Sequence, residues 1–308
     1  MNLSFFNQKK QPTNRNKTWL CDKELSELQA LSEQLHSTSI SKITLDSQQS
    51  GHLSSRALGS GIDYAESRVY QYGDDPRSIN WRLSARSQET FVKTFHTESR
   101  PTVNIILDQR RSMIFGTKKR LKITQALRIA SLLAYTCNLH HLNFQAWILN
   151  ANTLLTFNNT GEFLSVANQQ PKQIENTFYN NLDLALQEVQ PQLSNHSLLY
   201  LISDFTDLQK STHLSAVSEL CTTHAIHIQD QAEIGLSNLG EIDLQDNQQE
   251  HFRINTQNKN ERLNFSKLSK TLLEKRKKLI ANLGISYSAI LTDEDNIHPY
   301  IRLPLRNL

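Results

Sequence analysis

The residues with the greatest chemical potential lie between positions 59 and 86. This window contains Gly59-Ser-Gly61, Asp63, Tyr64, Glu66, Arg68, Tyr70, Gly73-Asp74-Asp75-Pro76-Arg77, Asn80-Trp81 and Ala85-Arg86, with four acids, four arginines and no lysine. Guanidinium sheds water more readily than ammonium and matches the carboxylate fork, so arginine without lysine points to planar ion pairs in partly buried places. Four of the chain's nine glycines fall between residues 51 and 73, as expected where the backbone needs positive φ or a close approach. The window holds no histidine, lysine or cysteine to act as a base, so its carboxylates are suited to pairing and poorly placed for catalysis.

Two further acids stand where chemistry collects. Asp108 ends the apolar run Val103–Leu107, and Asp204 follows Leu198–Ile202 and Ser203. In wound sheets, functional groups gather just beyond the carboxyl ends of strands. Other chemistry finds little support. His140-His141 follow a helix end, where they favour its negative terminus, and His224 and His227 bracket a strand with no third ligand in view. Cys21, Cys137 and Cys221 are widely spaced and form no Cys-x-x-Cys pair, which fits reduced thiols in a cytoplasmic protein. No Gly-x-Gly-x-x-Gly loop, Walker motif or Gly-x-Ser-x-Gly elbow is present to support an ATPase or hydrolase.

The elements that must position these residues follow from periodicity. Leu25, Leu28, Leu31 and Leu35 predict an amphipathic helix over 22–36, after a polar tail over 1–18 that is expected to be disordered. Asp75 before Pro76 is a natural helix start, which would place Arg77, Trp81 and Ala85 on one helix face with Trp81 inward. Residues 90–95 read as a strand. From residue 102, buried strands alternate with helices: strands near 103–107, 144–149, 198–202, 225–228 and 285–290, and helices near 119–139, 182–190, 208–222 and 260–283. Hairpins are expected at 144–157 and 241–255, and Gly284 as a helix stop. Near-continuous apolar strands alternating with helices predict a parallel sheet covered on both faces.

The bulk numbers agree. At 308 residues, 38% apolar, the chain can bury a real core. A net charge of +3 provides no strong field for nucleic acid. The basic run Lys275-Arg276-Lys277-Lys278 reads as a solvated helix face. No stretch approaches the ~18 apolar residues of a membrane span, and the chain is read as cytoplasmic.

The 59–86 window resembles the signature of the domain-of-unknown-function 58 family. That signature is a Gly-x-Gly, an acidic–aromatic–x–Glu–x–Arg–x–Tyr, and a Gly-Asp-Asp/Glu-x-Arg followed by an acidic or amide residue, Trp, and Ser/Thr-Ala-Arg. The likeness continues through Asp108, Ile202-Ser203-Asp204-Phe205, Asp230-x-x-Glu233 and the final helix and strand. It implies a bacterial α/β protein with a von Willebrand factor A-like, doubly wound and mostly parallel sheet (residues 101–308). A smaller β-containing segment over 19–100, carrying the signature, would pack on it.

The resemblance also implies company: a MoxR-type AAA+ ATPase, with a transglutaminase-like or other membrane protein encoded nearby. The implied role is that of a non-catalytic adaptor in protein assembly or maturation. In such folds a divalent cation binds at the sheet top through Asp-x-Ser-x-Ser, a threonine and an aspartate. Here Asp108, Ser112 and Asp204 match, but Arg110 replaces the first serine and no threonine stands near Asn181 or Leu182. Two unit cations at 4 Å repel by about 4 kcal/mol at an effective dielectric of 20. Arg110 is therefore expected to occupy the metal's place and pair Asp108 and Asp204, with no cofactor. The alternatives are a working Mg²⁺ or Mn²⁺ site that binds ligand, or Arg110 pointing to solvent. An uncharacterised hydrolase is the remaining reading. Within the signature, Asp63, Glu66, Arg68, Arg77 and Arg86 are expected to tie the segment to the α/β domain, or else to form a partner surface.

Overall fold

Periodic burial accounts for most elements of the computed structural model, which describes residues 3–4, 18–49, 63–87, 89–96, 102–151, 153–170, 181–195, 197–208, 212–246 and 251–301. In chain order these are β1 (Leu3–Ser4), α1 (Asp22–Gln49), β2 (Asp63–Val69), α2 (Trp81–Ser84), β3 (Phe91–His96), β4 (Thr102–Asp108) and α3 (Lys122–Leu139). There follow β5 (Asn143–Leu149), β6 (Leu154–Phe157), α4 (Thr160–Ala167), α5 (Leu182–Val189), β7 (Leu198–Ser203) and α6 (Thr212–Leu220). The last are β8 (Thr222–Gln229), α7 (Gln231–Ile234), β9 (Glu241–Asp246), β10 (His251–Asn255), α8 (Lys259–Asn282) and β11 (Ser286–Leu291). The chain divides into two units, residues 1–38 with 101–308, and residues 39–100.

The larger unit is a mixed α/β structure on a six-stranded sheet of order β11-β8-β7-β4-β5-β6, parallel except for β6, which runs antiparallel to β5. Counting from β4 as first strand, the order is 3-2-1-4-5-6, so the winding reverses between β4 and β7, where side groups of a doubly wound sheet can meet. Both faces are covered. Val103, Ile105 and Leu107 of β4 join Tyr200 and Ile202 of β7 in a core with α3 and Phe163 of α4. Ile106, Leu199 and Leu201 project to the other face and pack with Leu186, Val217 and Ile280. A second, three-stranded sheet orders β1-β9-β10, and beside it Phe115 and Phe265 pack with Ile242 and Ile254. The expected β5–β6 and β9–β10 hairpins are both present, and Gly284, at φ 73°, follows the end of α8. Among the described residues, no helix is long and apolar enough to cross a membrane.

The expected 19–100 segment is divided by the structure. Trp19, Leu20 and Leu28 are buried in the main core, with Leu25, Leu31 and Leu35 against it, so the start of α1 belongs to the α/β unit. Buried Asn168 holds this entry: the Leu20 N–H donates to Asn168 Oδ1 (2.7 Å), and Asn168 Nδ2 donates to the Leu20 carbonyl (3.1 Å). The helix also outruns its apolar stripe, continuing to Gln49, because neither glycine nor proline interrupts 22–49. The polar tail contributes β1, paired antiparallel with β9, and residues 5–17 lie outside the described part.

The smaller unit contains the antiparallel ribbon β2–β3, with a register irregularity between Tyr64 and Glu66. The strand β2 was not anticipated. Asp75 caps the turn Pro76–Ser78, accepting from the Arg77 N–H, as expected. The helix does not run on, however. Ile79 bridges to Val92, and Asn80 caps a new turn at Trp81. Arg77, Trp81 and Ala85 therefore do not share one continuous helix face, and Trp81 is 69% exposed where it was expected to point inward.

Candidate functional site at the carboxyl end of the sheet

Strand register builds the site. Leu107 of β4 pairs with Ile202 of β7, which sets Asp108 beside Ser203 and brings Asp204 to the same end of the sheet. The Ser203 hydroxyl donates to Asp108 Oδ2 at 2.6 Å. The loop after β4 then turns on its own aspartate, with the Arg110 N–H donating to Asp108 Oδ1 at 3.0 Å. It folds back so tightly at Gly116 that an added Cβ would meet the Arg120 carbonyl at 2.1 Å, so only glycine fits. That fold-back delivers Lys122 to the first position of α3, where it is buried.

Two cations and four carboxylates interlock here. Arg110 grips Asp108 through Nε and Nη2 (3.0 and 2.7 Å) and Asp207 through Nη1 and Nη2 (2.5 and 3.2 Å). Lys122 Nζ donates to Asp204 (2.7 Å) and to Glu233 (2.8 Å). Backbone groups hold the remaining lone pairs: the Leu182 N–H donates to Asp207, the Thr206 N–H to Asp204 and the Asp230 N–H to Glu233. Ser112 donates to Asp204. Side chains of Asp108, Asp204 and Lys122 are no more than 2% exposed. Burial pulls the Arg110 and Lys122 cations down, but their carboxylate partners outweigh it and hold both well above their ordinary values. Burial pushes the Asp204 carboxyl up, and Lys122 more than reverses this, so Asp204 titrates below the usual carboxylate range.

The expectation for Arg110 is thus half met. The guanidinium does pair Asp108, but its second carboxylate is Asp207, and Asp204 is held by Lys122. The reason is topological: the loop after β7 brings Asp207 to the guanidinium, while α3 starts directly over Asp204. Sequence reading missed Lys122 and Asp207, and named Glu233 only within the family likeness, without a role in this site. A signal was available for Lys122, the first residue of a helix apolar around most of its circumference. The Asp230-x-x-Glu233 spacing is a capping box on α7. Its Asp230 also accepts from Thr117 and Thr292.

A hard divalent cation needs about six oxygens, some from water. The oxygens of Asp108 and Asp204 that would supply it already accept from Arg110, Ser203, Lys122, Ser112 and Thr206. The donor set therefore does not suit such an ion. Among the described residues no three His, Cys, Asp or Glu side chains stand together so as to hold a metal. One arrangement with catalytic geometry was not anticipated: His213 Nδ1 lies 2.9 Å from Asp183 Oδ2, with both side chains part exposed. Such a dyad can orient an imidazole as a base, but no hydroxyl or thiol meets its other nitrogen among the described residues.

In the signature segment, Arg68 pairs bidentately with Asp74 (2.9 and 2.6 Å), and Asp74 also accepts from the Gln71 N–H. Arg68 therefore closes its own turn, around Gly73 at φ 107°, where a tie to the α/β domain was expected. Its partner is only six residues on in the chain. Tyr70 continues the ribbon, its N–H donating to the Thr90 carbonyl. Arg77 and Arg86 are exposed and make no ion pair among the described residues. Asp63, Tyr64 and Glu66 lie on β2; their side-chain contacts, and Gly59 and Gly61, fall outside the described part.

A model of the family described as "Protein of unknown function DUF58" matches residues 66–275. The chain belongs to that family. Uncharacterized proteins of Mycobacterium bovis and of two strains of Mycobacterium tuberculosis are each 22% identical to it over 204 residues, 61% of this chain and 61% of theirs. The matched stretch thus covers about three-fifths of those relatives' length. Among solved structures, the conserved hypothetical protein BatB from Bacteroides thetaiotaomicron aligns at a TM-score of 0.39 and 12% identity, covering 63% of this chain and 91% of that one.

Proposed function

We propose that this chain is a non-catalytic protein-interaction module of von Willebrand factor A-like fold. In this reading it acts as an adaptor for a MoxR-type AAA+ ATPase in protein assembly or maturation, on the cytoplasmic side and in reach of a transglutaminase-like or other membrane protein. The 3-2-1-4-5-6 strand order with an antiparallel third strand supports the fold, and family membership supports the role. The observation that carries the reading is the crown itself. Arg110 forked between Asp108 and Asp207, with Lys122 on Asp204, makes the metal-type position a fixed ionic lattice. Carboxylates already engaged in this way are poorly suited to take up a divalent ion, which favours a binding role over metal chemistry.

Two measurements test this. The ATPase is expected to co-purify with the chain under a non-hydrolysable nucleotide; no association in any nucleotide state would remove the adaptor reading. Calorimetric titration with Mg²⁺ or Mn²⁺ is expected to show no micromolar binding. Micromolar heat that disappears in Asp108→Ala would instead establish a metal-dependent ligand binder.

A further inference from the structure

The ribbon unit carries surface that its own fold does not use. Among residues 67–93, only Val92 is a buried hydrophobic, while Val69, Tyr72, Trp81 and Leu83 are exposed, Tyr72 completely. A two-stranded ribbon is marginal alone. A tryptophan or tyrosine left in water withholds 150–250 Å² of surface that a partner can cover. Arginines stand among these side chains. Arg77, Arg82 and Arg86 are exposed and make no ion pair among the described residues. Arg82 follows Trp81 in α2, and helical backbone continues through Ala85 at φ −69°, ψ −15° to the position before Arg86, so both arginines stand close to Trp81 along the chain. The nearby acids are partly engaged: Asp74 binds Arg68, and Asp75 caps the turn before Arg77.

We propose that the turns Pro76–Arg86 form the docking surface for an acidic, leucine- or aromatic-bearing segment of a partner protein. This deepens the protein-interaction reading above and rests on it. Tryptophan, tyrosine and arginine are the residues that dominate protein interfaces, and unpaired guanidiniums select carboxylates by bidentate pairing. A phosphate backbone fits less well, because Asp74, Asp75 and Glu89 interrupt any continuous basic track of the kind such a backbone follows.

The three tryptophans make the test selective, since Trp19 and Trp147 are buried and Trp81 is exposed. The probe is a fluorescein-labelled glutamate-rich peptide carrying leucines, titrated into the full chain by anisotropy. Binding is expected to shield Trp81 from acrylamide quenching. Replacing the peptide's glutamates with lysine abolishes it, and Arg82→Glu/Arg86→Glu weakens it about ten-fold or more, with Arg82→Gln/Arg86→Gln intermediate. The basic face of α8 changed as Lys275→Glu/Lys277→Glu/Lys278→Glu is expected to leave binding unchanged. Unaltered quenching of Trp81, equal weakening by both charge reversals, or tighter binding of a single-stranded oligonucleotide than of the peptide would each overturn the assignment. If the AAA+ ATPase co-purifies equally well with Arg82→Glu/Arg86→Glu, the adaptor reading stands and this surface falls; if the peptide binds as expected but no ATPase does, the reverse holds.

Discussion

Lys122 occupies an unfavourable place twice over, since it is buried and it sits at the positive end of a helix. It stays charged because Asp204 and Glu233 both reach its ammonium at hydrogen-bond distance. Removing one member of a buried ion pair strands the others, at a cost on the order of 3–5 kcal/mol. Lys122→Met is therefore expected to lower the urea unfolding free energy by about that much. The triple change Lys122→Met/Asp204→Asn/Glu233→Gln should recover most of the loss, since no charge is then left alone. A single change costing less than ~1 kcal/mol would mean that Lys122 is not desolvated as described. The same logic applies to Arg110, whose loss would leave Asp108, 0% exposed, with Ser203 as its remaining side-chain partner among the described residues.

Between elements, the clearest contact is the clamp of Asn168 on residues 19 and 20. It follows α4 and uses both ends of its amide, while the Trp19 N–H donates to its carbonyl at 2.9 Å. Asn168→Ala would leave buried backbone groups of Leu20 without partners, a loss of about 1–3 kcal/mol. The expected readout is faster proteolysis within α1, with the sheet's hydrogen exchange little changed. Equal protection of α1 in mutant and parent would show that the apolar contacts of Leu20 and Leu28 suffice. Most elements could be read from periodicity because their cause is local. The strand β2 could not, since Asp63, Glu66 and Arg68 interrupt any apolar alternation along its sequence. The extra turns of α1 were missed for the opposite reason: only the absence of a breaker extends it.

At the scale of the whole molecule, pH sets a limit that two buried histidines define. Burial lowers His224 to about 4 and His227 to about 3, the latter aided by Arg276. In β8, His227 Nδ1 accepts from the Tyr287 hydroxyl at 2.6 Å, and the Gln229 amide also points at it (3.2 Å), so the proton is assigned to the other nitrogen. The unfolded chain takes up protons on these rings from about pH 6.5 downward, while the folded chain refuses them until pH 4 to 3. Their contribution is therefore complete above about pH 6.5 and is lost as pH falls, by up to about 1.4 kcal/mol per unit for each ring. Below about pH 4 the Asp204 carboxylate, held low by Lys122, adds to the same loss. Urea midpoints measured from pH 7 to 4 should fall steadily, and His224→Asn/His227→Asn should flatten the slope. A flat profile in the parent chain would show that the imidazoles are not kept neutral.

Sequence alone determined the family, the alternation of strands and helices, the position of Asp108 and Asp204 at strand ends and the cap at Asp75. Each of these rests on residues close in the chain, where spacing and side-chain type act directly. Only the tertiary structure decided which charge meets which. Arg110 finds Asp207 across 97 residues, and Lys122 finds Asp204 and Glu233 across 82 and 111. Strand order and register set those meetings, and in a desolvated crown the partner at hydrogen-bond distance takes precedence over any pairing that composition would allow. The exposure of Trp81 was decided in the same way, by the Ile79–Val92 bridge that ends one turn and starts another.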